Sequence, residues 1–359
     1  MNTPYARIFE DRRIGNSRQW WLGHQPPDDY RMRVPDLIKA CVVFVEFPDD
    51  GRAATAFLVG TWNTEPVDVY LNLVTAAHVA KKMNKSRYRL RANRPTTDTN
   101  LFYDTGSVAD ELKLSQPLNW WYHPTMPENV DIAVAPVDSS IMVDWALNGL
   151  PVTMLLTDDT ARHYAIGIGD ETYTLGIFTH LRSREKNRPI LRTGNLAVFP
   201  EIKVPTKNFG NMDAYLIEAR SLGGLSGAPV FVTETSGQAF VKSPGEPALW
   251  AGQTFLLGVM HGHWDIPPDA LNDIGFDVDE QSRVNLGVAI VSPAKRLLEI
   301  LTQPRLLTMR EQQTREKNKK FLPTEDVSSP RKPNRDIPIP PISRKKFFEK
   351  LTKATERKN

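Results

Sequence analysis

Gly223-Gly224-Leu225-Ser226-Gly227-Ala228-Pro229-Val230-Phe231 is the stretch from which the rest of the chain is read. Two glycines lead into a serine, a third follows it, and an apolar run begins after Pro229. Glycine adopts backbone angles that other residues avoid, so successive N–H groups can be aimed at one point. A serine in such a turn is placed to act as a nucleophile, with the amides of Gly224 and Ser226 as the natural donors to an oxyanion. Taken alone, the same letters also describe an ordinary glycine-rich turn.

A serine hydroxyl needs a base, and the base needs an orienting group. Upstream, Leu73-Val74-Thr75-Ala76-Ala77-His78-Val79 runs an apolar strand into two small residues and a histidine. Val130-Asp131-Ile132-Ala133-Val134 opens another apolar run with an aspartate. Each alone reads as a structural histidine and a turn aspartate. Their order and spacing say more: His78 lies 53 residues before Asp131, which lies 95 before Ser226.

Together these segments resemble the trypsin-like (chymotrypsin-fold) serine peptidases of bacterial type, whose patterns are T-A-A-H, D-I-A and G-x-S-G-x-P. Gly169–Gly176 resembles the opening strand of that family's second lobe, and Leu257–Gly262 the strand and substrate-binding segment after the serine. The resemblance covers about 35–302. It implies an all-β fold of two six-stranded antiparallel β-barrels with the site in the cleft between them. It implies His78 as base, Asp131 behind it, Ser226 as nucleophile, and Gly224 and Ser226 as the oxyanion hole. It implies protein or peptide substrates, no catalytic metal and no organic cofactor. Met260, His261 and Gly262 fall on the substrate-binding segment, and Arg220 and Ser221 near the primary pocket. Arg220 or a histidine facing that pocket would favour an acidic or amide side chain. His123-Pro124 resembles a frequent structural feature, so His123 is not the expected base.

Three departures stand out. Leu225 occupies the place where many secreted members carry an aspartate that pairs with a newly cut N-terminal amine, so activation of that kind is not expected. Ala228 replaces a glycine and fits if its backbone angle allows. Met260 stands where many members place a serine beside the triad aspartate, so one supporting hydrogen bond is expected to be absent.

Working outward, Cys41–Phe47, Ala54–Gly60, Val69–Thr75, Tyr88–Ala92 and Asp131–Pro136 read as strands of a first lobe, about 35–160. Tyr173–Phe178, Leu191–Val198, Ala214–Glu218, Pro229–Val232, Phe255–Met260 and Leu286–Val291 read as strands of a second, about 161–302. No long amphipathic helix separates them, which excludes a doubly wound α/β architecture. Ser292 as N-cap, followed by Pro293, predicts a helix to Leu301 that closes the domain.

The 359 residues contain one cysteine, Cys41, in an apolar run, so no intramolecular disulfide forms. The first residues lack the apolar stretch of a signal peptide, and no run approaches the roughly 18 apolar residues of a membrane span. A cytoplasmic protein is expected. The net charge of +3 is unevenly spread. Arg305 to Asn359 holds 16 Lys and Arg against 7 Asp and Glu, a charge of +9 that leaves −6 elsewhere. Residues 1–34 read as an extension and 303–359 as a basic, Pro-containing disordered tail that could contact an acidic partner, a membrane surface or nucleic acid. Within it, Pro338-Ile339-Pro340-Pro341 matches PxxP, and Arg344–Leu351 could form a short basic helix.

The sequence argues against three other functions. An α/β-hydrolase would need a final glycine where Ala228 stands and the order Ser, acid, His. A catalytically silent trypsin-like module acting in binding or regulation would usually have lost a triad residue, and all three are present. A nucleic-acid binder would be expected to show aromatic-interleaved basic motifs or zinc spacings, which are lacking.

Overall fold

A computed structural model describes residues 36–64, 67–95, 109–114, 117–177, 186–219, 224–235, 253–266 and 284–321. The regular structure of the described residues is mostly β-strand, with helices before, between and after the strands. The first lobe contains β1 (Val42–Glu46), β2 (Ala53–Thr64), β3 (Val67–Thr75), β4 (Arg89–Asn93), β5 (Ala109–Glu111), β6 (Ala133–Val137) and β7 (Leu150–Pro151). These form one sheet in the order β5-β4-β1-β2-β3-β6, with β7 added in parallel to β2.

The second lobe contains β8 (Glu171–Gly176), β9 (Ile190–Val198), β12 (Tyr215–Glu218), β13 (Pro229–Thr233), β14 (Thr254–Ile266) and β15 (Val284–Pro293). They close into a six-stranded barrel in the order β12-β15-β14-β13-β8-β9. A hairpin of β10 (Lys203–Thr206) and β11 (Gly210–Asp213) stands outside it.

Burial on both faces explains why β1 and β2 lack a polar alternation. Val43, Val45, Ala54, Ala56 and Leu58 point into the core of the first lobe. Val42, Phe44, Phe57 and Val59 point the other way, into a core shared with Tyr173, Leu175, Phe231 and Leu256 of the barrel. The two lobes are therefore packed on one apolar layer.

Of the two closed barrels expected, the second lobe closes. In the first lobe the free edge of β6 is taken by an isolated bridge from Trp121 to Val134 instead of by the three-residue β5. The tail expected from residue 303 begins as a helix. After α1 (Asp36–Lys39), α2 (Ala77–Met83), α3 (Ile141–Asp144), α4 (Asp158–His163) and α5 (Ala294–Leu301) comes α6 (Pro304–Phe321). Within α6, Leu306 and Arg310 are buried. Arg310 donates to Asn72 Oδ1 (2.7 Å) and to the Leu301 carbonyl (3.1 Å). Helix α5 starts one step later than its predicted cap: Ser292 ends in β15 and Pro293 is the N-cap. The extension 1–34, the PxxP segment and the terminal basic segment lie outside the described residues.

Candidate active site

His78 is the second residue of α2. The first N–H groups of a helix have no intrahelical partner. Ala76, at the N-cap, has no side chain to supply one. Asp131 does so instead: its Oδ1 accepts the backbone N–H of His78 at 2.9 Å. Its Oδ2 lies 2.7 Å from His78 Nδ1. A carboxylate only accepts, so Nδ1 carries the proton and Nε2 is left as the basic nitrogen. Asp131 is fully buried just before β6. Burial alone would raise its carboxyl, but the His78 charge and the hydrogen bonds from His261 and His78 outweigh that, holding it well below the usual carboxylate range.

Ser226 sits between Gly224 (φ 103°) and Gly227 (φ 82°), both in the region that favours glycine. A Cβ on Gly227 would overlap Thr75 Oγ1 and the Thr55 carbonyl oxygen, so the turn presses directly on the first lobe. Thr55 ties it there. Its N–H donates to the Ser226 carbonyl (2.9 Å), and its Oγ1 donates to the Gly224 carbonyl (2.8 Å) while accepting from Ile177 N (3.1 Å). Thr55 is fully buried. The sequence offered no sign of this role, since Thr55 lies within an apolar strand like any other small residue.

Leu225 is buried in the barrel core beside Ala228. Ala228 is not among the residues of positive φ, which meets the condition set on it. The Ser226 hydroxyl donates to the His261 carbonyl at 3.3 Å. Among the described residues it makes no hydrogen bond to His78.

The substrate-binding expectations fare differently. Met260 is buried in the barrel core and pairs with Gly227 and Ala228 through its backbone, so its side chain lines no cleft. His261 turns inward: its Nδ1 lies 2.5 Å from Asp131 Oδ2, and its ring meets Phe209 edge-on at 5.9 Å. The hydrogen bond expected to be missing from Asp131 is thus supplied one residue later. The cause is a register shift in β14, where Met260 faces Val291 but Gly262 already faces Ile290. An inserted residue re-aims a side chain next to such sites. Gly262 faces open space. Arg220 and Ser221 lie outside the described residues. His123 is buried, bonded through Nε2 to Glu299 of α5 (2.5 Å) and accepting through Nδ1 from Met126 N in its own turn (3.0 Å), so both ring nitrogens are occupied.

No family model and no curated protein matches the chain. Among solved structures it is similar to Deg5, at 15% identity and a TM-score of 0.34, over 66% of this chain and 87% of that one. It is also similar to a serine-to-alanine variant of Rv3671c from M. tuberculosis H37Rv in its inactive form, at 15% identity and a TM-score of 0.37, over 77% and 95%. Likeness at this level carries no weight for the site, which rests on its own geometry.

Proposed function

We propose that this chain is a trypsin-like serine endopeptidase that cleaves protein or peptide substrates through Ser226, His78 and Asp131. The observation that carries the reading is the double grip of Asp131 on His78, backbone N–H at 2.9 Å and ring Nδ1 at 2.7 Å. It leaves Nε2 as the basic nitrogen and aims the ring. To engage that nitrogen, the Ser226 hydroxyl must leave the His261 carbonyl. Catalytic hydrogen bonds often tighten in this way only when substrate is bound.

In the reaction, Ser226 Oγ adds to the scissile carbonyl carbon as its proton passes to His78 Nε2. The N–H groups of Gly224 and Ser226 receive the oxyanion, and Asp131 stabilises the imidazolium. His78 then protonates the leaving amine as the C–N bond breaks. Water, deprotonated by the same nitrogen, hydrolyses the acyl ester and restores Ser226. The base contributes roughly 10²–10⁴ in rate, and each oxyanion donor roughly 10²–10³.

Labelling with a fluorophosphonate probe tests this. The native chain is expected to label at Ser226, and Ser226→Ala to stay unlabelled. A native chain that does not label would overturn the enzyme reading in favour of a silent module, in which Ser226 stays on the His261 carbonyl.

A further inference from the structure

His261 is the side chain at this site that the proposed triad does not use. Its Nδ1 reaches the same Asp131 oxygen that His78 Nδ1 reaches, at 2.5 and 2.7 Å respectively. Two imidazoles and one carboxylate therefore converge, each offering a ligand atom within 4.8 Å of the others. The Asp131 side chain is fully buried, whereas the rings of His78 and His261 are 32% and 16% exposed. A small solute approaching the group meets the imidazoles first. Neither Nε2 has a hydrogen-bond partner among the described residues.

We propose that His78, Asp131 and His261 form a zinc-binding site whose occupancy switches off the Ser226 chemistry. The inhibitory half of this rests on the serine-peptidase reading; the binding half does not. Two imidazole nitrogens and a carboxylate oxygen suit Zn²⁺, while Mg²⁺ and Ca²⁺ take oxygen ligands. Zinc bonds these donors at about 2.0–2.2 Å, which sets tetrahedral ligands about 3.3 Å apart. The present Nδ1–Oδ2 separations are hydrogen-bond contacts, so each ring nitrogen must draw back from Oδ2 by less than about 1 Å. Asp131 need not move, because its Oδ1 stays on the His78 backbone N–H. Without metal, each Nδ1 carries a proton donated to Oδ2. On binding, each Nδ1 lends its lone pair to zinc and its ring carries the proton on Nε2 instead. Water completes the fourth position. His78 then has no free lone pair with which to take the Ser226 proton. Zinc at this place is an inhibitor, which is compatible with a reaction that uses no catalytic metal.

The test uses the full chain bearing Ser226→Ala, freed of metal, with Zn²⁺ titrated in competition with a chromogenic chelator. One equivalent is expected to bind, with affinity falling at least tenfold in His261→Ser and in His78→Ala. Thermal melts of both variants check folding. The absorption spectrum of the Co²⁺-loaded chain gives a readout without those variants, tetrahedral cobalt being expected. Absent binding, or binding that survives His261→Ser in a folded protein, overturns the site. Zinc that binds but leaves fluorophosphonate labelling of the native chain unchanged overturns the inhibition. A native chain that never labels would sink the peptidase reading, while the chelator titration would still decide the metal site.

Discussion

Asp131 carries more than one task. It completes the start of α2 and holds the His78 ring, and it does both from a fully buried position. An amide at this place keeps the shape and reverses the preferred His78 tautomer, because one of its atoms becomes a donor. Asp131→Asn is expected to lower the labelling rate by about 10⁴-fold with little change in circular dichroism. The lowered carboxyl also links stability to pH. A group whose folded value is depressed stabilises the fold above its unfolded value, about 3.9 for Asp. That contribution fades as pH falls from there through the lower folded value. Urea midpoints measured across this acid range should therefore fall more steeply in the native protein than in Asp131→Asn. Equal slopes would remove the linkage.

Among the elements, β2 reaches furthest into the site. Thr55 belongs to a first-lobe strand yet bonds to Gly224, Ser226 and Ile177 of the second. Valine there keeps the volume and leaves the Gly224 carbonyl and the Ile177 N–H without their partner. Leaving buried groups unpaired costs about 1–3 kcal/mol. Thr55→Val is expected to lose stability in that range and to slow turnover more than it weakens substrate binding, since Gly224 is a proposed oxyanion donor. A rise in KM with unchanged kcat would contradict that assignment. Helix α6 offers a parallel case. Arg310→Ala removes the donor to Asn72 and to the Leu301 carbonyl, and a loss of about 1–3 kcal/mol is expected in chemical denaturation.

Across the whole molecule, the shared apolar layer makes the lobes one cooperative body. Phe57 of the first lobe and Phe231 of the second are both fully buried in it. Truncating a buried phenylalanine to alanine costs about 3–5 kcal/mol. Phe57→Ala and Phe231→Ala are expected to lower one common transition, seen alike by tryptophan fluorescence and circular dichroism. Separate transitions would mean that the lobes unfold independently. Leu225 acts at the same scale. Buried among apolar residues, it offers no carboxylate to a new N-terminal amine. A chain whose N-terminus is blocked by a tag should label as fast as an untagged one.

The residue order alone was enough to place most of the strands, though not β5, β7 or the β10–β11 hairpin. Runs of β-branched and apolar residues such as Val42–Val45 and Leu71–Thr75 favour extended backbone wherever they fall, and glycine around Ser226 permits one kind of turn. The same order singled out His78, Asp131 and Ser226, because short motifs are local. It could not show that Asp131 would hold two histidines. That depends on a register shift in β14, and a shift of one residue moves a side chain to the other face. Nor could it show Thr55 beneath the serine turn, since 169 residues separate it from Gly224 and only packing brings them together. Closure of the second lobe was likewise decided in three dimensions, by which strand finds each unpaired edge. The chemistry of the site is local in sequence, whereas its support comes from long-range packing.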